Sequence, residues 1–154
     1  MTSHDAPPML IAGCSHRKLQ TAMPVPALEL YQGGCIPALR RLAQETSWLR
    51  SRTWILSAEH GLVHADAPLL PYDRRMDGQR AALLRPAAGR DLREEFTQRG
   101  VPREVLVIAE PLYQLVLADL VSLAGADRVR WVDDPSREWE RAGTVISTWR
   151  LRCP

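Results

Sequence analysis

The 154-residue sequence has three cysteines, no C-x-x-C pair and no apolar run long enough to cross a membrane. An odd number of scattered cysteines excludes a disulfide framework and a zinc knuckle. A membrane-spanning helix needs about 18 or more apolar residues in a row, so the class of proteins with such a helix is excluded as well. The first eight residues show neither the basic start nor the apolar centre of a signal peptide. We therefore expect a cytoplasmic protein.

Lysine is almost missing, because the basic residues are nineteen arginines and Lys18 alone. The net charge of +2 is far from the strong positive charge of a histone-like protein. This balance permits contact with nucleic acid but gives no argument for it. The 45% apolar and 25% charged residues are typical of a globular protein of one domain.

Short apolar runs alternate with helical patterns along the chain. Residues 1–7 are predicted to be a disordered start, and residues 8–154 a single domain. Two polar, proline-containing stretches, 14–34 and 59–77, are predicted to be long loops, the first with a helical turn near residues 27–31. The predicted helices cover 36–49, 78–99 with a break at Pro86, and the segment opened by Pro111. The predicted strands are 8–13, 52–58, 104–109, 128–132 and 144–150.

This alternation predicts an α/β fold, with a mostly parallel sheet of four to five strands between helical layers. Ligands of such sheets bind beyond the carboxyl ends of the strands, where loops and helix N-termini converge. The ionisable residues of this sequence gather at those ends. They are Cys14 to Lys18 after the first strand, Ser57, Glu59 and His60 after the second, Glu110 after the third, and Asp133, Asp134 and Ser136 after the fourth.

The segment after the first strand has the residue types of an anion site. Ser15, Arg17 and Lys18 offer a hydroxyl and two cations to a phosphate. A solvated basic loop explains the same residues equally well. Cys14 is either a buried, inert thiol or a nucleophile near Lys18 and His60, as in a small-molecule hydrolase.

The second turn offers groups for proton transfer. His60 is a candidate general acid with Glu59 beside it, and the alternative is a histidine that only caps the turn. Tyr72 and Asp73 in the following loop could stack on a base and supply a carboxylate, or Tyr72 could anchor the loop on the core. The spacing of His60 and His64 lacks a helix and a third ligand, so we expect no metal site and no cofactor.

Four ordered motifs resemble an uncharacterised bacterial and phage domain family. They are residues 10–19 with C-S-x-x-K-L, residues 26–31 with P-A-x-E-L-Y, residues 54–62 with I-L-S-A-E-H-G-L, and residues 71–73 with P-Y-D. In the third motif the family carries Lys where this chain has Glu59. The family is in turn similar to uracil-DNA-glycosylase-like domains of archaeal tRNA-modification proteins and to the peroxide-stress DNA-binding protein family. The resemblance implies a three-layer α/β sandwich and a link to nucleobases.

The expected function is hydrolysis of the N-glycosidic bond of a modified base, in a nucleic acid or a nucleotide. Cleavage of this bond needs an anion near the sugar, a proton donor for the departing base and a grip on phosphate. We expect Glu59 or Asp73 to be the anion near the sugar and His60 to be the proton donor. Ser15, Arg17 and Lys18 are the expected phosphate ligands. Tyr31 or Tyr72 is expected to stack on the base. The alternative is a non-catalytic nucleotide- or nucleic-acid-binding module in stress response or phage defence. Cys14, Ser57 and Glu110 complete the predicted binding residues.

Overall fold

A computed structural model describes residues 5–152. Residues 1–4 of the predicted disordered start, and Cys153, lie outside the described residues. The rest of that start is ordered, because Ala6 is buried and its amide donates to the Val101 carbonyl. None of the helices within residues 5–152 has the length and apolar content required to cross a membrane.

The strands are β1 Met9–Gly13, β2 Val25–Pro26, β3 Thr53–Ser57, β4 Gly61–His64, β5 Pro68–Leu69, β6 Val105–Ile108 and β7 Val129–Val132. The central sheet has five of these strands in the order β4-β3-β1-β6-β7. Strands β1, β3, β6 and β7 run parallel, which confirms the predicted parallel sheet, and β4 pairs antiparallel with β3 at one edge. A two-stranded ribbon of β2 and β5 joins the two long loops.

Helices cover both faces of the sheet, so the chain forms an α/β fold of three layers. The helices are α1 Ala27–Leu30, α2 Ile36–Glu45, α3 Gly78–Arg99, α4 Pro111–Gln114, α5 Leu120–Ala124 and α6 Trp139–Arg152. Alternate residues of β1 explain this arrangement, because Leu10 and Ala12 pack with α1, α2 and α6, whereas Met9 and Ile11 pack with α3 and α5. All four side chains are fully buried.

The predicted fifth strand at 144–150 is wrong, because this segment belongs to helix α6. Its β-branched residues favoured a strand, but Ala142, Ile146 and Trp149 recur at helical spacing and are the residues that α6 buries. Trp149 packs against Trp48, and its indole N–H donates to the Glu104 carboxylate at 3.1 Å. Tertiary packing therefore overrides the local β preference.

The real fifth strand, β4, lies inside a segment that we predicted to be a loop. Ser57 pairs with Gly61 across a three-residue turn, and the hairpin then runs to His64. Gly61 has φ +75°, a conformation that glycine adopts without a steric penalty. The predicted break of α3 at Pro86 is also wrong, because the helix runs through this exposed position while Ala81, Ala88 and Leu92 hold its other side on the sheet.

We expect Gly61→Ala to lower the free energy of unfolding by about 1–2 kcal/mol, because an L-residue at positive φ brings its Cβ close to the following carbonyl. The matched control is Gly143→Ala in α6, where an added Cβ meets no atom within 4 Å. This control should raise stability by about 0.5–1 kcal/mol. Urea denaturation measures both changes, and equal effects of the two variants would contradict the assigned turn.

Candidate functional site

The topology places a cleft between the carboxyl ends of β1 and β6. The chain leaves β1 toward β3 with α2 on one face of the sheet, and it returns from β4 to β6 with α3 on the other face. Strand order therefore reverses between β1 and β6. The crevice at such a switch point is the usual binding site of open α/β sheets.

Two adjoining hollows form this cleft, and they share a wall. One, the α2-side hollow, has a volume of about 330 Å³ and extends to the residues before α2 and after β7. The other, the α3-side hollow, has a volume of about 400 Å³ and extends to the residues before α3. The shared wall consists of Cys14, Ser15, His16, Glu110 and Tyr113.

Of the predicted site residues, Cys14, Ser15 and Glu110 line the cleft. Cys14 is half-buried, and its Sγ lies 3.3 Å from the Tyr113 hydroxyl. The Glu110 carboxylate is exposed and has no hydrogen bond or ion pair with the side chains and backbone of residues 5–152. Ser15 stabilises its own loop, because its hydroxyl donates to the Arg17 carbonyl at 2.8 Å and accepts from the Gly33 amide at 3.1 Å.

A hydrogen-bonded chain of hydroxyls lies beside the cleft. The Tyr72 hydroxyl is 2.7 Å from the Tyr31 hydroxyl and 2.7 Å from the Ser57 Oγ. The Ser57 Oγ also accepts from the amides of Glu59 and His60, which fixes the turn between β3 and β4. Tyr31 is fully buried, so the prediction that it stacks on a base is wrong: no face of its ring is free.

Tyr72 fills the space between Lys18 and His60. The Lys18 Nζ lies 4.3 Å from the centroid of the Tyr72 ring, and the His60 ring meets the same tyrosine edge to face at 5.5 Å. The turn after β1 and the turn after β3 are therefore neighbours, as the strand-end positions predicted. The Cys14 amide donates to the Leu56 carbonyl at 2.9 Å, which joins the two strand ends. They do not share one hollow, because Tyr72 anchors its loop between them.

The predicted catalytic residues lie away from the cleft lining. Glu59 and His60 border a separate hollow with Tyr72 and the loop before it. The Glu59 carboxylate forms an ion pair with Arg74, with 2.7 Å between Oε2 and Nε, so much of its charge is already balanced. Asp73 is exposed, and its carboxylate forms no hydrogen bond or ion pair with another residue of 5–152. Glu59 and Asp73 therefore do not line the cleft, and Glu110 is a carboxylate residue on its shared wall.

Arg17 and Lys18, two of the residues that we predicted to bind phosphate, do not line the cleft. The Lys18 ammonium donates to the His16 carbonyl at 3.1 Å and lies over Tyr72. Arg17 is exposed and borders neither hollow of the cleft. The basic residues that do line it are His16, Arg74 and Arg75, of which the two arginines lie in a stretch that we interpreted only as a loop. The adjacent pair of arginines before α3 was the signal available in the sequence.

Tyr31, Tyr72 and Tyr113, which we call the tyrosine cluster, all have raised pKa values. Burial, reinforced by the nearby Cys14 sulfur, raises the pKa of Tyr31 to about 12. Burial is also the main cause that raises the pKa of Tyr72 and of Tyr113, and the Cys14 sulfur again adds to it. Burial also raises the pKa of the Cys35 thiol at the edge of the α2-side hollow to about 12, so this thiol stays protonated and unreactive.

Within residues 5–152 no three His, Cys, Asp or Glu side chains are grouped to hold a metal ion.

Residues 9–132 match a family described as being of unknown function, DUF6884. The chain belongs to this family. No match was found to a curated protein or to a solved structure. The matched DUF6884 region runs from β1 to β7 and includes the whole shared wall of the cleft. Pro135 and Ser136 of the α2-side hollow, and helix α6, follow the matched region of the DUF6884 domain.

We expect none of the tyrosines of the folded protein to ionise near pH 10, because all three tyrosines of the chain belong to this cluster. Unfolded tyrosines have a pKa of about 10. Above that pH the unfolded state loses protons first, so stability is complete below pH 10 and falls as the pH rises through the higher folded pKa values. Ultraviolet absorbance of tyrosinate should therefore appear only together with unfolding.

The control is the same titration in denaturant, where all three tyrosines should ionise near pH 10. A tyrosine that ionises near this pH while the far-ultraviolet circular dichroism stays native would show that the cluster is open to solvent.

Proposed function

We propose that the protein hydrolyses the N-glycosidic bond of a modified nucleobase, in a nucleotide or a nucleic acid, within the cleft between β1 and β6. One observation carries the proposal: a free carboxylate, Glu110, stands on the shared wall with cations beyond it. Bond cleavage builds positive charge on the sugar, and an adjacent carboxylate stabilises that charge.

The cleft offers a group for each step of the reaction. The bond from the sugar C1′ to the base nitrogen breaks, the base nitrogen gains a proton, and the oxygen of water bonds to C1′. Glu110 stabilises the sugar cation and accepts a proton from the attacking water. Tyr113 and His16, on the same wall, are the donors nearest to a base held against Cys14. The predicted donor, His60, is replaced in this role because it contacts Tyr72 in a different hollow.

The fold supports the proposal at the level of architecture. Its mostly parallel sheet between two helical layers is compatible with the uracil-DNA-glycosylase-like sandwich that the motifs suggested. Because one fold hosts many chemistries, the proposed function depends on the residues of the cleft and not on the fold alone.

A non-catalytic binding module is the second candidate, and the arginines of the α3-side hollow favour it. Arg75 has no partner among residues 5–152, so it is free to meet an anion. This candidate predicts binding of nucleotide or nucleic acid that weakens with salt and releases no base. Release of free base therefore distinguishes the two candidates.

We expect the protein to release free base from nucleotides or from DNA containing modified bases, detected by mass spectrometry. Glu110→Gln should lower the rate by about 100-fold or more, because the amide cannot stabilise the sugar cation or accept a proton. The matched control is Glu140→Gln, an exposed glutamate on α6 that borders a different groove, and it should leave the rate unchanged.

Two results would contradict the proposal. The first is a Glu110→Gln variant with the wild-type rate, and the second is binding of every nucleotide tested without release of base. The second result would favour the binding module.

A further inference from the structure

The two hollows of the cleft differ in charge. The α3-side hollow adds Arg74, Arg75, Met76 and Leu112 to the shared wall, so two arginine residues line it. The α2-side hollow adds only neutral residues: Gly13, Gly34, Cys35, Ala109, Pro135 and Ser136. Glu110 lies on the wall that both share. A ligand that spans the cleft therefore meets a neutral pocket, a carboxylate and a basic pocket in sequence.

We propose that the substrate carries a phosphate, which binds in the α3-side hollow with Arg75 as its main ligand, while the base occupies the α2-side hollow. This inference rests on the proposed function and names its substrate class: a nucleoside 5′-phosphate unit, free or within a strand. The sugar of such a unit stands between its base and its phosphate, as Glu110 stands between the two hollows.

Arg75 is the best-placed cation for this role because its charge is uncommitted. It has no ion pair or hydrogen bond with residues 5–152, whereas Arg74 is paired with Glu59. A guanidinium group binds a phosphate through two parallel N–H bonds, and exposure of Arg75 leaves its donors free.

The volumes agree with a ligand that needs both hollows. At about 330 and 400 Å³, each lies near the lower end of the range for ligand pockets, which is roughly 300–1,000 Å³. A free nucleoside would use the neutral hollow and leave the arginines without a partner. A phosphorylated nucleoside engages both.

The first experiment uses inorganic phosphate as the probe. We expect saturable changes in the amide spectrum of the protein around residues 14–16 and 74–76 when phosphate is titrated at constant ionic strength. Arg75→Gln should weaken this binding by about tenfold, because it removes charge-assisted hydrogen bonds. The control is Arg41→Gln, an exposed arginine on α2 that borders a separate groove, and it should bind as the wild type does. Circular dichroism checks that both variants are folded.

The second experiment compares a nucleoside with its 5′-monophosphate in the base-release assay. Arg75→Gln should raise the KM for the monophosphate and leave that for the nucleoside unchanged. Base release that is equal for the two substrates and insensitive to Arg75→Gln would overturn the inference and leave the proposed function intact.

Failure of the proposed function has a different signature. Phosphate binding that depends on Arg75, without base release from any substrate, would remove the glycosidase and retain the phosphate site. Absence of saturable phosphate binding, or equal weakening by Arg75→Gln and Arg41→Gln, would overturn the inference.

Discussion

Strand β1 is hydrogen-bonded in parallel to β3 on one side and to β6 on the other, and the candidate site depends on this double pairing. The register places Gly13 beside Leu56, and Ala12 beside Ile108. The residues that follow these strands, Cys14 and Glu110, must then emerge close together at the same edge of the sheet. The full burial of β1 on both faces keeps this register fixed, because a slip by one residue would turn its side chains to the wrong layer.

Tyr72 is the second fixed point, since it connects the two long loops to the end of β3. Its hydroxyl contacts those of Tyr31 and Ser57, and its ring lies against Lys18 and His60. Buried hydroxyls need such partners, because an unmatched one is costly in the interior. The consequence for function is that several polar residues at the sheet edge hold the loops in place. The cleft itself is left to Cys14, Glu110, Tyr113 and the basic residues around them.

Much of the fold followed from sequence pattern. The apolar runs that became β1, β3, β6 and β7 are buried strands, and their alternation with helices required a parallel sheet. Less of the site could be predicted. Residue types at strand ends identified Cys14 and Glu110, but pattern alone could not show that the Glu59 carboxylate meets Arg74, or that Tyr72 separates Lys18 from His60. Those contacts depend on the paths of the loops, and loop sequences have no hydrophobic periodicity from which a path can be predicted.

The sequence by itself determined the α/β class, the parallel strands and the edge of the sheet at which ionisable groups collect. Apolar side chains that recur every two residues indicate a strand, and those that recur every 3.6 residues indicate a helix. This pattern is a local property that neighbouring residues of the sequence determine. Only the tertiary structure decided that 144–150 is a helix, that β4 closes the sheet edge, and which side chains share a hollow. Those outcomes depend on contacts between residues far apart in the chain. Tyr113 meets Cys14, and Arg75 and Glu110 border one cavity, because the fold places them there.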